Sequence, residues 1–121
     1  MEDFLVQKSF QLNNISKYIL DQIKKHCKQN PKQESCGIIY SEEGKISFKA
    51  CENISSNPTH YFCIDPVILI DYDVQYVVHS HTIGSSRPSE NDKNNSDELC
   101  IPYLIYSLRD DDFYLYENVS V

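Results

Sequence analysis

His79, His81, Ser89 and Asp92 stand close together in the stretch Val77–Asp92, VVHSHTIGSSRPSEND, and their side chains are the ones here that can grip a cation and work on a carbonyl. Two imidazoles supply neutral nitrogens and one carboxylate supplies an anionic oxygen. That set fits a three-ligand Zn2+ site with a coordination position left open. Side chains of a strand alternate faces, so His79 and His81 project to one side and Ser80 to the other. Asp92, in the first turn of a helix, stays ionised because a helix N-terminus favours negative charge. Ser89 opens the same helix and can turn its hydroxyl toward the bound cation. Hydrolysis also needs a base. Glu34, just ahead of an apolar strand, is the candidate because it could lean over a neighbouring strand's end.

Each residue has a plainer reading. His-x-His in a strand can be two exposed imidazoles. Ser89 and Asp92 fit a capping box, and capping alone would account for both. Glu34 and His26 read as surface residues, and His60 as a structural one. Two other zinc schemes are excluded. No His-x-x-x-His lies on a helix, as a zincin protease requires. No His-x-Glu accompanies Pro-Cys-x-x-Cys, as a zinc deaminase requires. A thiol protease has no local signature either.

The elements that must position these groups follow from periodicity. Val74–Val78 reads as a buried strand carrying the histidines. A helix is expected over Ile15–Lys28, capped by Asn13 or Asn14 and ended at Pro31. Ile38–Tyr40 begins a strand that turns at Glu42-Glu43-Gly44-Lys45, with Gly44 in the unusual backbone conformation, and returns through Ile46–Ala50. Residues 52–59 form a polar loop. Tyr61–Ile64 is expected to be a further strand, and Asp65-Pro66 to start a short helix through Asp71. A helix over Glu90–Cys100, stopped by Pro102, leads to strands at Tyr103–Tyr106 and Phe113–Tyr116, with a charged solvated turn between them. A short strand is expected within residues 1–13. Mixed signals along one chain predict a sheet with helices packed on it.

The 121 residues predict one domain, 1–121. Eleven basic against 18 acidic residues give a net charge of −7, which argues against nucleic-acid backbone binding. Lys24, Lys25, Lys28 and Lys32 read as a solvated helix face. Five cysteines without a CxxC predict reduced thiols in a cytosolic protein, with Cys36 and Cys63 as small core residues. No signal peptide or transmembrane run is expected, hence no membrane partner.

His79-x-His81, Ser89 and Asp92 at this spacing, with Glu34 before Cys36-Gly37-Ile38-Ile39, resemble the JAMM metal motif of the MPN/JAB domain family. Thr82 departs from it, since many members carry proline there, but the position does not ligate metal. Tyr61–Pro66, Arg87–Glu90 and Ile101–Ser107 are similar to the subgroup that opens phage tail assembly proteins of the lambda K type, where an NlpC/P60 cell-wall peptidase domain commonly follows. With no such domain here, the expectation is a stand-alone version or an excised domain.

The resemblance implies an α/β (mixed α+β) fold of cytidine-deaminase-like architecture, a mixed sheet flanked by helices. It also implies Zn2+ on His79, His81 and Asp92. Glu34 would take a proton from the attacking water and deliver it to the leaving amine, and Ser89 would help hold the oxyanion. The zinc would polarise the scissile carbonyl and bring a water's pKa toward ~7. The activity implied is peptide or isopeptide hydrolysis in phage tail assembly, in the host cytoplasm or the virion tail, on a ubiquitin-like fold or a tail protein. Two alternatives stay open: a non-catalytic scaffold with an MPN fold, and a bacterial deubiquitinase-like enzyme of a ubiquitin-like conjugation system.

Overall fold

The computed structural model describes residues 15–118. The strand expected within residues 1–13, and both asparagines expected to cap the first helix, lie outside them. That helix, α1 (Lys17–Gln29), is instead capped by Ser16, whose hydroxyl accepts from the Ile19 backbone N–H at 3.2 Å. It ends at Asn30, just before Pro31. The strands β1 (Cys36–Glu42) and β2 (Lys45–Cys51) form a hairpin. Glu43 and Gly44 take φ of 52° and 80°. Two positive φ values in a two-residue loop match the right-handed twist of the flanking strands.

Next come α2 (Pro66–Asp71), capped by Asp65, then β3 (Asp73–His81), α3 (Glu90–Leu99), β4 (Tyr103–Ser107) and β5 (Asp112–Tyr116). The sheet order is β2-β1-β3-β4-β5. Only β3 and β4 run parallel, because α3 carries the chain back between them; the other pairs are antiparallel. The histidine strand is therefore central, with β1 on one side, its start at Cys36 opposite His79, and β4 on the other.

Both faces of the sheet are covered, as a central strand this apolar requires. On one face Ile39, Val78, Leu104 and Leu115 meet Ile19, Ile23 and Cys27 of α1. On the other, Ile38, Val77, Tyr103 and Ile105 pack with Ile64, Ile68 and Leu69. Gly37 sits where a Cβ would come within 2.6 Å of both the Lys49 carbonyl oxygen and the Phe48 ring, so a side chain there would break the hairpin's packing.

Several expectations fail for definable reasons. Residues 61–64 are not a strand. The segment makes two backbone bonds with the preceding loop, Ile54 N–H to the Cys63 carbonyl and Tyr61 N–H to the Asn57 carbonyl, both at 2.9 Å, while the Asn53 side chain takes the Tyr61 carbonyl and the Cys63 N–H. Alternation there turns Ile64 inward and Cys63 outward, so Cys63 is exposed while Cys36 is buried. His26 is half-buried, not solvated. Its Nε2 donates to the Cys36 carbonyl at 3.0 Å and its ring tilts against Phe48. His60, expected to be structural, is exposed. The charged turn is exposed as expected, and within it Asp111 bonds the Tyr106 hydroxyl and lies 3.5 Å from Lys24 Nζ. No helix among the described residues is long and apolar enough to cross a membrane.

Candidate metal centre

The alternation of β3 sends Val78 and Ser80 to the α1 face and Val77, His79 and His81 to the other. His79 is fully buried at mid-sheet and His81 is partly exposed at the strand end, so one imidazole lies deep and one faces the opening. Ser89 then starts α3. Its hydroxyl accepts from the Asp92 backbone N–H, and the Asp92 carboxylate accepts from the Ser89 N–H, both at 3.0 Å. This reciprocal box satisfies two N–H groups at the helix start and turns Asp92 toward β3.

Asp92 Oδ1 lies 3.1 Å from His79 Nε2, and Oδ2 lies 3.0 Å from His81 Nε2. One ligand atom from each of the three residues falls within 4.8 Å of the others. His81 Nδ1 is 2.8 Å from the Ser85 carbonyl oxygen, which can only accept, so Nδ1 carries a proton there and Nε2 is the nitrogen turned to the cluster. A carbonyl behind a ring nitrogen is the usual orienting device of a metal-binding histidine.

His79 is the sharper case. Its ring stacks on Phe62, with centroids 4.3 Å apart, and meets Tyr103 edge-on. Its Nε2 is near Asp92, but neither ring nitrogen makes an aligned hydrogen bond. A fully buried imidazole without aligned partners loses solvation and gets little back. A cation held between His79, His81 and Asp92 would repair that, so the residues present fit a metal ion.

The electrostatics agree with the donor set. Burial pushes the His79 pKa down, outweighing Asp92 and keeping the ring neutral. Burial acts the same way on His81, but its bonds to Asp92 and to the Ser85 carbonyl prevail and raise it. Burial would raise Asp92, yet the neighbouring His79 and His81 and the Ser89 N–H hold its carboxyl well below the usual range. Burial lifts Glu34 to about 8, with His81 pulling it down and Asp92 pushing it up.

Glu34, His81, Ser89 and Asp92 line one cleft of about 600 Å³, with Phe62 and Ile83 among its apolar walls. The fold thus brings Glu34 to the same opening as the later residues, although it lies in the segment before β1. His60, exposed, also lines this cleft. Phe62 and Ser85 support the cluster, and Asn53 bonds the Glu34 carbonyl; all three escape sequence reasoning. They act through a ring face, a main-chain carbonyl and a loop amide, none of which leaves a spacing pattern.

The family described as prokaryotic homologs of the JAB domain matches residues 16–116. Tail tip assembly protein K of Escherichia phage N15 is 30% identical over 95 residues, a match covering 73% of this chain but only 38% of that protein. The chain therefore spans well under half the length of this curated relative. Among solved structures, a JAB1/MPN domain protein from Archaeoglobus fulgidus superposes with TM-score 0.56 at 20% identity, covering 85% of this chain and 91% of that one. A Desulfitobacterium hafniense protein gives TM-score 0.61, also at 20% identity, over 84% and 88% of the two chains. At such identity these structures speak to the fold.

Proposed function

Because the chain belongs to the prokaryotic homologs of the JAB domain, we propose that it is a zinc-dependent peptidase or isopeptidase acting on a protein or peptide during phage tail assembly. The observation that carries this reading is the meeting of His79, His81 and Asp92 within 4.8 Å beside a cleft that Glu34 also lines.

His79 and His81 would hold the ion through Nε2, and Asp92 through its carboxylate. Bound zinc supplies Lewis acidity toward a carbonyl and acidifies water. Glu34 is the group able to carry the proton. Burial lifts its carboxyl to about 8 in the metal-free protein, and a bound cation would draw it down from there toward neutral pH, where a group can both accept and give back a proton. It would take the proton from the attacking water and release it to the departing amine. Ser89 spends one oxygen lone pair on the Asp92 N–H, which leaves its O–H free to donate to an oxygen that gains negative charge. Phe62 and Tyr103 pack around His79 and exclude water from its side of the site.

The relative supports one substrate class. A tail protein suits a domain similar to a tail tip assembly protein, and a ubiquitin-like fold is the other candidate substrate. The test is zinc analysis together with cleavage of two probes, a proteome-derived peptide library and lysine-linked di-ubiquitin. Expected are about one zinc per chain and cleavage that disappears in Glu34→Gln while zinc stays bound. Zinc bound with no cleavage of either probe would favour a second reading, a non-catalytic assembly domain, for which the relative's name is the supporting observation.

A further inference from the structure

Glu34 lies outside any strand, since β1 starts at Cys36, so no sheet ladder holds it. Its backbone is nonetheless fully engaged. The Glu34 N–H donates to the Pro58 carbonyl at 2.8 Å, and the Glu34 carbonyl accepts from Asn53 Nδ2 at 2.8 Å. The next residue is bonded twice to the residue between the two histidines. Ser35 N–H donates to Ser80 Oγ, and Ser80 N–H donates to the Ser35 carbonyl, both at 2.9 Å.

Asn53 is the hub of this arrangement. Its Nδ2 donates to the Glu34 carbonyl and to the Tyr61 carbonyl at 2.9 Å. Its Oδ1 accepts from the Ser55 and Cys63 N–H groups, both at 3.0 Å. A side-chain amide has two donor hydrogens and two acceptor lone pairs. All four are used, which also fixes which end of the amide is nitrogen. One side chain thus ties Glu34 to the Thr59–Phe62 segment that walls the cleft and supplies the ring against His79.

We propose that Asn53 is a positioning residue, which sets Glu34 over the His79–His81–Asp92 cluster by clamping the Glu34 carbonyl to the loop that walls the cleft. The proposal rests on the peptidase reading for its catalytic consequence; the clamp itself does not.

Asn53→Asp separates the two. The carboxylate keeps the size and both acceptor bonds but has no hydrogen for the Glu34 and Tyr61 carbonyls. Asn53→Ala removes all four bonds and serves as the second variant. With the best-cleaved member of the peptide library as probe, Asn53→Asp is expected to lower kcat about 10- to 100-fold, with KM and zinc content within about twofold of wild type. A residue that merely closes the loop would shift KM, through the Thr59–Phe62 wall. Amide hydrogen exchange, read without any substrate, should show the Glu34 N–H about tenfold less protected in Asn53→Asp. In Asn53→Ala the Cys63 N–H should lose protection as well.

If wild type cleaves and Asn53→Asp keeps its kcat, or loses only KM, the positioning role is overturned and the peptidase reading stands. If wild type cleaves nothing, the peptidase reading falls, and the catalytic consequence falls with it. Exchange then decides the clamp alone: unchanged protection at Glu34 overturns it, and lost protection upholds it.

Discussion

Asp92 Oδ2 takes the Ser89 N–H and faces His81 Nε2, each at 3.0 Å, so one oxygen both closes a helix and reaches the cluster. Capping and ligation are often weighed as rivals for a Ser-x-x-Asp pattern. Here the cap is what aims the carboxylate at the two histidines. The box holds the carboxylate in a single orientation, and β3 holds the two histidines opposite it.

Replacing Asp92 should therefore separate two losses. Asn keeps an oxygen able to cap but gives up the charge. Asp92→Asn is expected to weaken zinc binding by at least ~100-fold, with a modest loss of metal-free stability. Asp92→Ala loses the cap as well and leaves His79 without its nearest polar neighbour, adding about 1–3 kcal/mol of destabilisation. Zinc titration and thermal unfolding of the metal-free proteins measure the two effects. Equal stability of the Asn and Ala variants would contradict the cap's part. In the wild type, protons compete for the upshifted His81, so zinc affinity should begin to fall already above pH 6.5, the ordinary imidazole value, as pH drops.

Glu34 contributes to the pH dependence of metal-free stability. Its folded pKa of about 8 lies above the ordinary 4.5, chiefly through burial. The fold favours the protonated form, so this contribution is complete below pH 4.5 and is lost as pH rises through about 8. Glu34→Gln resembles the protonated form at every pH. It should match wild type near pH ~4 and exceed it near pH ~9, by about 1–2 kcal/mol after discounting for a carboxyl that is not fully dry. Urea denaturation at the two pH values reads this directly. Saturating zinc should shrink the difference, because a nearby cation favours the charged carboxylate.

Ser80 contributes from the opposite face to the histidines it separates. Ser80→Ala leaves the buried Ser35 N–H without its acceptor, at a cost of about 1–3 kcal/mol. Zinc binding should survive, because His79 and His81 project the other way. Denaturant midpoints and metal content together check this. A variant as stable as wild type would mean that water replaces the hydroxyl at Ser35.

Much of this was legible in the chain because it depends on neighbours in sequence. His79 and His81 share a face by the two-residue period of a strand, and Ser89 and Asp92 meet by the geometry of a first helical turn. The hairpin at Glu43-Gly44 and the Asp65-Pro66 helix start are likewise local. The strand expected at Tyr61–Ile64 shows where that reasoning stops. Its alternation is real, but the Asn53 side chain takes hydrogen bonds that a neighbouring strand would otherwise make.

What the sequence determined alone was the candidate donor set and its short-range spacing. Only the tertiary structure decided that Glu34 reaches the same cleft, because pairing β1 with β3 and tying the loop through Asn53 join residues far apart in the chain. It also decided that Phe62 covers His79 and that Cys63 turns outward. Such contacts are set by which surfaces the sheet and loop bury against one another, and burial between distant segments leaves no period to read.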